Sequence, residues 1–342
     1  MDLTKTRVEK WDNLKCLLIF LVVLGHITDL FVDISPAADK MSLFIYTFHM
    51  PLFIFVSGLF CKKNVDLKRY DKIASYLIMY VAIKFIVAIT KLIITKTISV
   101  SLFSESGVSW YAFAIFAFSL ITILIRNISP KYILIFSVIF ACLYGYTSDS
   151  PDILVVSRII VFYPFFYLGY ISDGEKITEF LSKKSVRIIS AVIIVIYLVI
   201  VIIFGDRLIW TTILSVGKYQ YTRLPYWENF GGLLRLAWYA VVFLLGASII
   251  SLTPNRKIAK GFFSYIGKKS MQIYALHFVF IGILFSGIKI HQWLLPHHPI
   301  ILIFLTTVVV MALCLPSFWT KLFEIILYPP KRKSLQNNEK EL

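Results

Sequence analysis

The chain has 342 residues, of which 58% are hydrophobic and only 16% are charged, and its formal net charge is +16. This composition excludes an ordinary soluble globular protein and indicates a polytopic membrane protein. The four cysteines lie far apart and show neither a disulfide framework nor metal-ligand spacing, so we predict no metal site.

Apolar segments recur along the chain at lengths near the roughly 20 residues that a helix needs to cross a bilayer. They predict an all-α membrane protein, a polytopic bundle of about ten transmembrane helices. The predicted spans are residues 14–33, 43–61, 73–95, 108–125, 131–147, 152–171, 187–204, 231–252, 270–290 and 300–325. We expect residues 1–330 to form one transmembrane domain and residues 331–342 a polar cytoplasmic tail.

Positive charge is concentrated in alternate connections between the predicted spans. These connections, with the two termini, hold 24 of the 35 Lys and Arg residues, whereas the other connections hold six. The positive-inside rule then places both termini and the basic connections in the cytoplasm. We therefore expect a multi-pass protein of the cell membrane, whose positive charge reflects its orientation in the lipid bilayer and not the binding of nucleic acid.

The first span contains His26, and Asp12 and Lys15 stand at its beginning. Lys15 and His26 are eleven positions apart, which places them on nearly the same helix face and roughly 16 Å apart along the axis. Imidazole inside a bilayer is costly, so His26 is either catalytic or a hydrogen-bonded contact between helices. Asp29, three residues later on the same face, is either a carboxylate that orients His26 or a solvated acid at the helix end.

The second span contains another histidine, His49, for which the same two interpretations are open. Basic residues also lie inside later spans, among them Lys84, Arg158 and Arg235, with few acidic residues at matching depth. They predict a positively lined cavity for an anionic ligand. For the two arginines, an alternative is that the side chain extends to the membrane interface.

The connection from Gly205 to Phe230 is rich in aromatic and basic residues. Aromatic faces beside hydrogen-bonding groups suit sugar rings, but such residues also form the interfacial belt of membrane proteins. Both interpretations stay open. His297 and His298, next to two prolines in a later connection, indicate an exposed turn and not a metal site.

Five motifs in order resemble those of the acyltransferase-3 family of integral membrane sugar acyltransferases, in particular the fucose 4-O-acetylase-like and capsule O-acetyltransferase subgroup. They are Trp11–Lys15 leading to Val23–His26, Phe48–Gly58, Ser109–Tyr111, Arg158–Gly169 and Tyr265–His277. The family more often has Arg where this chain has Lys15, which keeps the charge but removes bidentate recognition of phosphate.

The resemblance implies transfer of an acyl group, usually acetyl, from acetyl-CoA to a hydroxyl of a cell-surface polysaccharide or its lipid-linked precursor. Acyl-CoA and a carbohydrate acceptor are then the substrates, with no permanently bound cofactor. The expected catalytic residues are His26, His49, Arg158 and Asp29, and the expected acyl-CoA-binding residues are Lys15, Asp12, Lys84 and His277. The alternative function is a carrier or flippase for an anionic solute or polysaccharide intermediate.

Depth along the spans separates these roles. Lys15 lies at the cytoplasmic end, where it can meet a phosphate of CoA, and His26 lies past the middle of the membrane as the expected general base. His49 or a nearby cation would stabilise the negative charge that develops on the thioester oxygen. His277 is expected nearer the cytoplasmic end of its span, as a structural residue or one on the acyl-CoA side.

Overall fold

The computed structural model describes residues 9–97, 107–147, 154–290 and 299–327, and within these ranges it contains helices and no strand. The all-α prediction is therefore confirmed. The helices are α1 (Glu9–Thr28), α2 (Pro36–Asp66), α3 (Tyr70–Thr95), α4 (Trp110–Ile125), α5 (Pro130–Tyr144), α6 (Val156–Ile171), α7 (Gly174–Leu181), α8 (Lys184–Leu208), α9 (Thr212–Val216), α10 (Gly231–Leu252), α11 (Phe262–Lys268), α12 (Ser270–Gly282), α13 (Pro299–Cys314) and α14 (Ser317–Leu327).

Fewer helices than predicted are long and apolar enough to cross a membrane. In the described part of the chain six segments qualify, and α13 with α14 makes a seventh if this pair, bent by 57°, is one span. Helices α4, α5 and α6 stand where spans were predicted but have only 16, 15 and 16 residues. At about 1.5 Å per residue they are shorter than the ~30 Å hydrocarbon core, so a count of ten spans is not confirmed.

Helix α4 is short because its first residues lie inside the bundle. The hydroxyl of Tyr274 on α12 donates to the Val108 carbonyl at 2.7 Å, and the backbone N–H of Ala112 donates to the same hydroxyl at 3.2 Å. Non-helical backbone is tolerated at membrane depth where protein groups satisfy it in this way. The chain therefore enters α4 from the interior, with Trp110 and Tyr111 beside the central helices.

Helices α1 and α2 form the centre of the bundle, whereas α8 lies at its periphery. In the most apolar part of the first span 67% of the residues are buried, compared with 17% in the most apolar part of the segment that contains α8. Helices α2 and α6 approach closely because Gly58 faces the Phe166 carbonyl and Gly169 faces the Phe55 carbonyl. A Cβ at either glycine would overlap the opposing backbone, so these two positions allow the helices to touch.

The basic connection of residues 253–269 contains a helix that the sequence did not predict. Helix α11 packs against the beginning of α1, where Gly267 lies against the Asp12 carbonyl. The side-chain amide of Asn13 donates to the carbonyls of Pro254 and Arg256 at 3.0 and 2.9 Å. The connection is thus fixed to α1, and α12 starts beside α1 and runs along it in the same direction.

The connection between α8 and α10 folds onto the end of the bundle. Tyr221 is buried there, and its hydroxyl donates to the Cys142 carbonyl at 3.0 Å. Arg235 donates to the Leu214 carbonyl and lies 3.4 Å from the Tyr221 hydroxyl. Arg235 is buried and holds this connection in place through these contacts.

Candidate functional site

His26 lies in the last turns of α1 with its side chain 27% exposed. Its ring stacks on that of His277, with centroids 5.3 Å apart and planes inclined by 27°. The edge of Phe278 contacts the same ring, with centroids 5.9 Å apart. The first histidine is therefore held between two residues of α12, because α12 runs alongside α1.

His277 is completely buried, and two backbone carbonyls lie close to its Nδ1. Its Nδ1 lies 2.7 Å from the Tyr274 carbonyl and 3.1 Å from the Ile273 carbonyl, and since carbonyl oxygens only accept, Nδ1 carries the proton. Nε2 is then an acceptor, and it has no hydrogen-bond partner among the described residues. The sequence placed His277 on the acyl-CoA side, whereas the structure places its ring against the expected base; its role stays a prediction.

Tyr46 connects the two histidines of the first two spans. Its hydroxyl donates to Oδ2 of Asp29, and the same carboxylate oxygen lies 3.8 Å from Nδ1 of His26. That distance is too long for a hydrogen bond but suits an ion pair with a protonated imidazole. The ring of Tyr46 meets His49 edge-on at a centroid distance of 4.9 Å. Sequence reasoning missed Tyr46, whose one available signal was its place three residues before His49.

His49 is buried, with 3% of its surface exposed, and its Nδ1 donates to the Ile45 carbonyl at 2.8 Å. Neither His49 nor His26 is therefore turned fully toward lipid. His26 borders a small cavity of about 20 Å³, but His49 is not part of the lining of that cavity. The described contacts link the two histidines through Tyr46 and Asp29.

The small cavity, which we call the histidine chamber, is lined mainly by apolar and aromatic side chains. Its lining consists of Ile19, Val22, His26, Met50, Phe53, Val108, Trp110, Tyr111 and Tyr274. A volume of about 20 Å³ is close to the smallest that holds one water molecule. The imidazole of His26 therefore faces a space suited to a single small reacting group.

A larger cavity of about 190 Å³, which we call the lysine cavity, lies nearer the beginning of α1. It is lined by Lys15, Phe53, Val56, Ser57, Phe60, Tyr76, Tyr111, Ile115, Ser270, Met271 and Tyr274. Lys15 Nζ lies 2.9 Å from Oδ1 of Asp12, which is 2% exposed, and 4.5 Å from the ring centroid of Phe60. Because an ammonium group has three N–H donors, Asp12 orients Lys15 and leaves donors for a ligand.

Three aromatic residues, Phe53, Tyr111 and Tyr274, line both cavities. Tyr111 stands in the middle, with ring centroids 5.4 Å from Phe53 and 5.1 Å from Tyr274. Its hydroxyl also lies 2.6 Å from the Ser57 hydroxyl. The two cavities therefore meet at an aromatic junction, and α1 contributes Lys15 to one of them and His26 to the other.

The two remaining cations of the predicted site lie differently from each other. Arg158 is buried, and its guanidinium stacks on Trp110, with 5.0 Å from Cζ to the ring centroid, so it adjoins the histidine chamber through that tryptophan. Lys84 lies over the ring of Tyr80 at 5.0 Å and lines neither the histidine chamber nor the lysine cavity. Their expected roles stay predictions.

No group of three or more His, Cys, Asp or Glu residues is arranged for a metal ion in the part of the chain that the structure describes. His297 and His298, together with the tail of residues 331–342, lie outside the described residues. What the described site offers is an imidazole in one cavity, an oriented lysine in a second cavity, and three aromatic residues that line both. These groups suit proton transfer beside a bound anionic substrate.

No curated protein and no solved structure matches the chain. A family model does match it, the acyltransferase-3 model, which is described as an acyltransferase domain, over residues 8–318. This range includes both cavities and all five motifs. The chain therefore belongs to the acyltransferase-3 family, and it is a membrane acyltransferase.

Proposed function

We propose that this acyltransferase moves an acyl group, specifically acetyl, from acyl-CoA to a hydroxyl of a cell-surface polysaccharide or its lipid-linked precursor. The observation that supports this most is the arrangement along α1, with Lys15 in the larger cavity, His26 in the smaller one and an aromatic junction between them, which we take as the path of the donor. A thioester on a long flexible arm fits such a path, because the charged part of the donor stays at Lys15 while its reactive end reaches His26.

In the proposed reaction His26 is the general base. Nε2 or Nδ1 of the imidazole takes the proton of the sugar hydroxyl as the hydroxyl oxygen attacks the thioester carbon. A carbon–oxygen ester bond forms, the carbon–sulfur bond breaks, and the proton passes from the imidazolium to the CoA sulfur as the thiol leaves. Asp29, at 3.8 Å, is placed to stabilise the imidazolium that exists between these two proton transfers.

The other predicted residues have supporting roles in this proposal. His49 and Arg158 lie beside the reacting region and favour negative charge developing on the thioester oxygen. His277, with its bare Nε2, fixes the plane of the His26 ring by stacking. Asp12 orients Lys15 toward a CoA phosphate, and Lys84 adds positive charge on the neighbouring helix α3.

The orientation in the membrane sets where each substrate enters. With both termini in the cytoplasm of a cell-membrane protein, as the distribution of basic residues favours, Lys15 faces the cytoplasmic supply of acyl-CoA. The acceptor then approaches from the opposite end of the bundle. Exposed aromatic residues on the connection between α8 and α10, notably Tyr226 and Trp227, offer surfaces for sugar rings there.

A carrier or flippase for an anionic intermediate is the alternative function. It would use the same buried cations, but it requires a passage that admits the solute. The histidine chamber of about 20 Å³ favours the enzyme, because a space of this size beside an imidazole suits a reacting group better than a carbohydrate chain.

Purified protein supplied with acetyl-CoA and a panel of mono- and oligosaccharides provides the test. We expect release of free CoA thiol that depends on an acceptor, together with an acetyl ester on the sugar. A matched sample of the His26→Ala variant should release the thiol ~10²–10⁴-fold more slowly. Uptake of sugar phosphates into proteoliposomes without any thiol release would contradict the enzyme and support the carrier.

A further inference from the structure

A third cavity lies on the side of α2 away from the histidine chamber and the lysine cavity. It has a volume of about 460 Å³, and helices α2, α6, α7 and α10 form its walls. Pro51, Leu52 and Phe55 of α2 line this third cavity, whereas Phe53, Val56 and Ser57 of the same helix line the lysine cavity. The two cavities thus use different faces of one helix, and the third is separate from the proposed path of acyl-CoA.

The lining of this third cavity, which we call the lipid groove, is apolar except near one end. Its walls are mostly Phe, Leu, Ile and Val side chains, with Gly246 and Ala247 of α10 as the small residues that leave it open. Among the described residues of the lining, Lys176 is the charged one, and it has no ion pair in the described part of the chain. The groove therefore combines a hydrocarbon surface with a single positive charge.

The short helix α7 closes the charged end of the groove. Asp173 caps it by accepting from the backbone N–H groups of Glu175 and Lys176, and the Ser251 hydroxyl of α10 donates to the Leu181 carbonyl at 2.7 Å. One side of α7 presents Ile177 and Phe180 to the groove. A short amphipathic helix fixed in this way suits a position in the membrane interface, with its lysine at the level of lipid headgroups.

The length of the groove corresponds to one leaflet of a bilayer. Along α10 it extends over the nine residues from Val242 to Ile250, roughly 12 Å of helix, compared with about 15 Å for half of the hydrocarbon core. Lys176 belongs to a basic connection, the kind that faces the cytoplasm, where the leaflet carries anionic lipids.

We propose that the lipid groove binds an anionic glycerophospholipid, with an acyl chain against α2, α6 and α10 and its phosphate at Lys176. The charge of Lys176 and the apolar lining each match one part of such a molecule. The bound lipid packs against α2 and α6, the helices that carry His49 and Arg158, but it takes no part in acyl transfer.

Native mass spectrometry of the detergent-purified chain, with added dioleoyl phosphatidylglycerol or dioleoyl phosphatidylcholine, tests this proposal. We expect the anionic lipid to bind about fivefold more tightly, since one basic residue near a membrane surface contributes ~1 kcal/mol. Lys176→Gln should abolish this preference, whereas Lys184→Gln, a lysine of the same connection outside the lining, should keep it. Equal binding of the two lipids by the unchanged chain would overturn the proposal.

The apolar part of the groove has its own matched pair of variants. Ala247→Trp fills the space and should weaken binding of both lipids by at least about tenfold. Ala237→Trp places the same ring on an exposed position of α10 outside the lining and should bind as the unchanged chain does. Unaltered lipid binding by Ala247→Trp would contradict a lipid in the groove. So would a spectrum in which the unchanged chain is a dimer and only Ala247→Trp is a monomer, because a second copy of the chain would then occupy the groove. If Ala247→Trp fails to fold, the exposed Lys176→Gln variant still tests the proposal, because it should lose the preference for the anionic lipid.

Discussion

The two ends of the path along α1 differ in size and in how their charges are compensated. The lysine cavity has about 190 Å³ and an ion pair of 2.9 Å between Lys15 and Asp12 at its edge. The histidine chamber has about 20 Å³, and its nearest carboxylate lies 3.8 Å from His26. A spacious, firmly oriented end suits binding of a bulky donor, and a narrow, apolar end suits the reaction itself.

This contrast assigns different kinetic roles to residues of the same helix. A group at the spacious end should act on the affinity for acyl-CoA, because it contacts the part of the donor that does not react. A group at the narrow end should act on the rate of turnover, because it contacts the reacting atoms. Each of the following variants tests this assignment of kinetic roles.

The largest effect is expected for His26→Ala. Removing a positioned base lowers kcat by ~10²–10⁴, while the dependence on acyl-CoA concentration stays the same. Thiol release measured against acyl-CoA concentration gives both quantities. His297→Ala, which removes a histidine from another connection, is the control and should leave both unchanged. Turnover near normal in His26→Ala would remove this residue as the base.

A smaller and different effect is expected at the spacious end. A double variant, Lys15→Gln with Asp12→Asn, removes both charges of the pair, so no buried carboxylate is left unpaired. The KM for acyl-CoA should rise about 10- to 100-fold, the range expected for loss of a charged hydrogen bond, with little change in kcat. Lys15→Arg keeps the charge and should remain close to the unchanged chain. A defect in kcat alone would contradict the phosphate role.

Added volume should be tolerated at one end and not at the other. Val22→Leu places an extra methylene in the histidine chamber, and Val56→Leu places one in the lysine cavity. The added methylene at Val22 occupies the space of about 20 Å³ that the reacting group needs, so Val22→Leu should lower kcat about tenfold, roughly 1.4 kcal/mol of barrier, whereas Val56→Leu in a cavity of about 190 Å³ should have little effect. Equal effects in the same thiol-release assay would show that the difference in volume has no functional meaning.

The smallest effect is expected for Tyr46→Phe, which removes the hydrogen bond to Asp29 and keeps the ring against His49. The loss of about 1 kcal/mol should lower kcat roughly fivefold without changing the KM for acyl-CoA. Tyr197→Phe is a matched control, because its hydroxyl donates to Thr47 on the same helix α2 and does not contact Asp29. An equal decrease in kcat in both variants would show that the Tyr46 hydroxyl has no specific role in the reaction.

The sequence predicted those features that depend on one helix. The eleven-residue spacing places Lys15 and His26 along one side of α1, where they line two adjacent cavities, and the three-residue spacing brings Asp29 near His26. Such relations follow from helix periodicity alone. The pair of Asp12 and Lys15 follows from the same rule.

Features that depend on contacts between distant segments were not predictable in this way. Helix α11 is anchored on α1 by the Asn13 amide, and this anchoring brings His277 to His26. Val108 enters the interior because the Tyr274 hydroxyl satisfies its carbonyl, which shortens α4 and lowers the number of clear spans. Hydropathy gives the length of an apolar segment but not the partners that end its helix early.

The central claim is that Lys15 binds the donor and His26 acts in the reaction. Isothermal titration with a thioether analogue of acetyl-CoA, which cannot transfer its acyl-like group, measures binding without turnover. We predict that His26→Ala binds the analogue as tightly as the unchanged chain, whereas the Lys15→Gln, Asp12→Asn double variant binds it about 10- to 100-fold more weakly. Weakened binding in His26→Ala together with unchanged binding in the double variant would contradict the account.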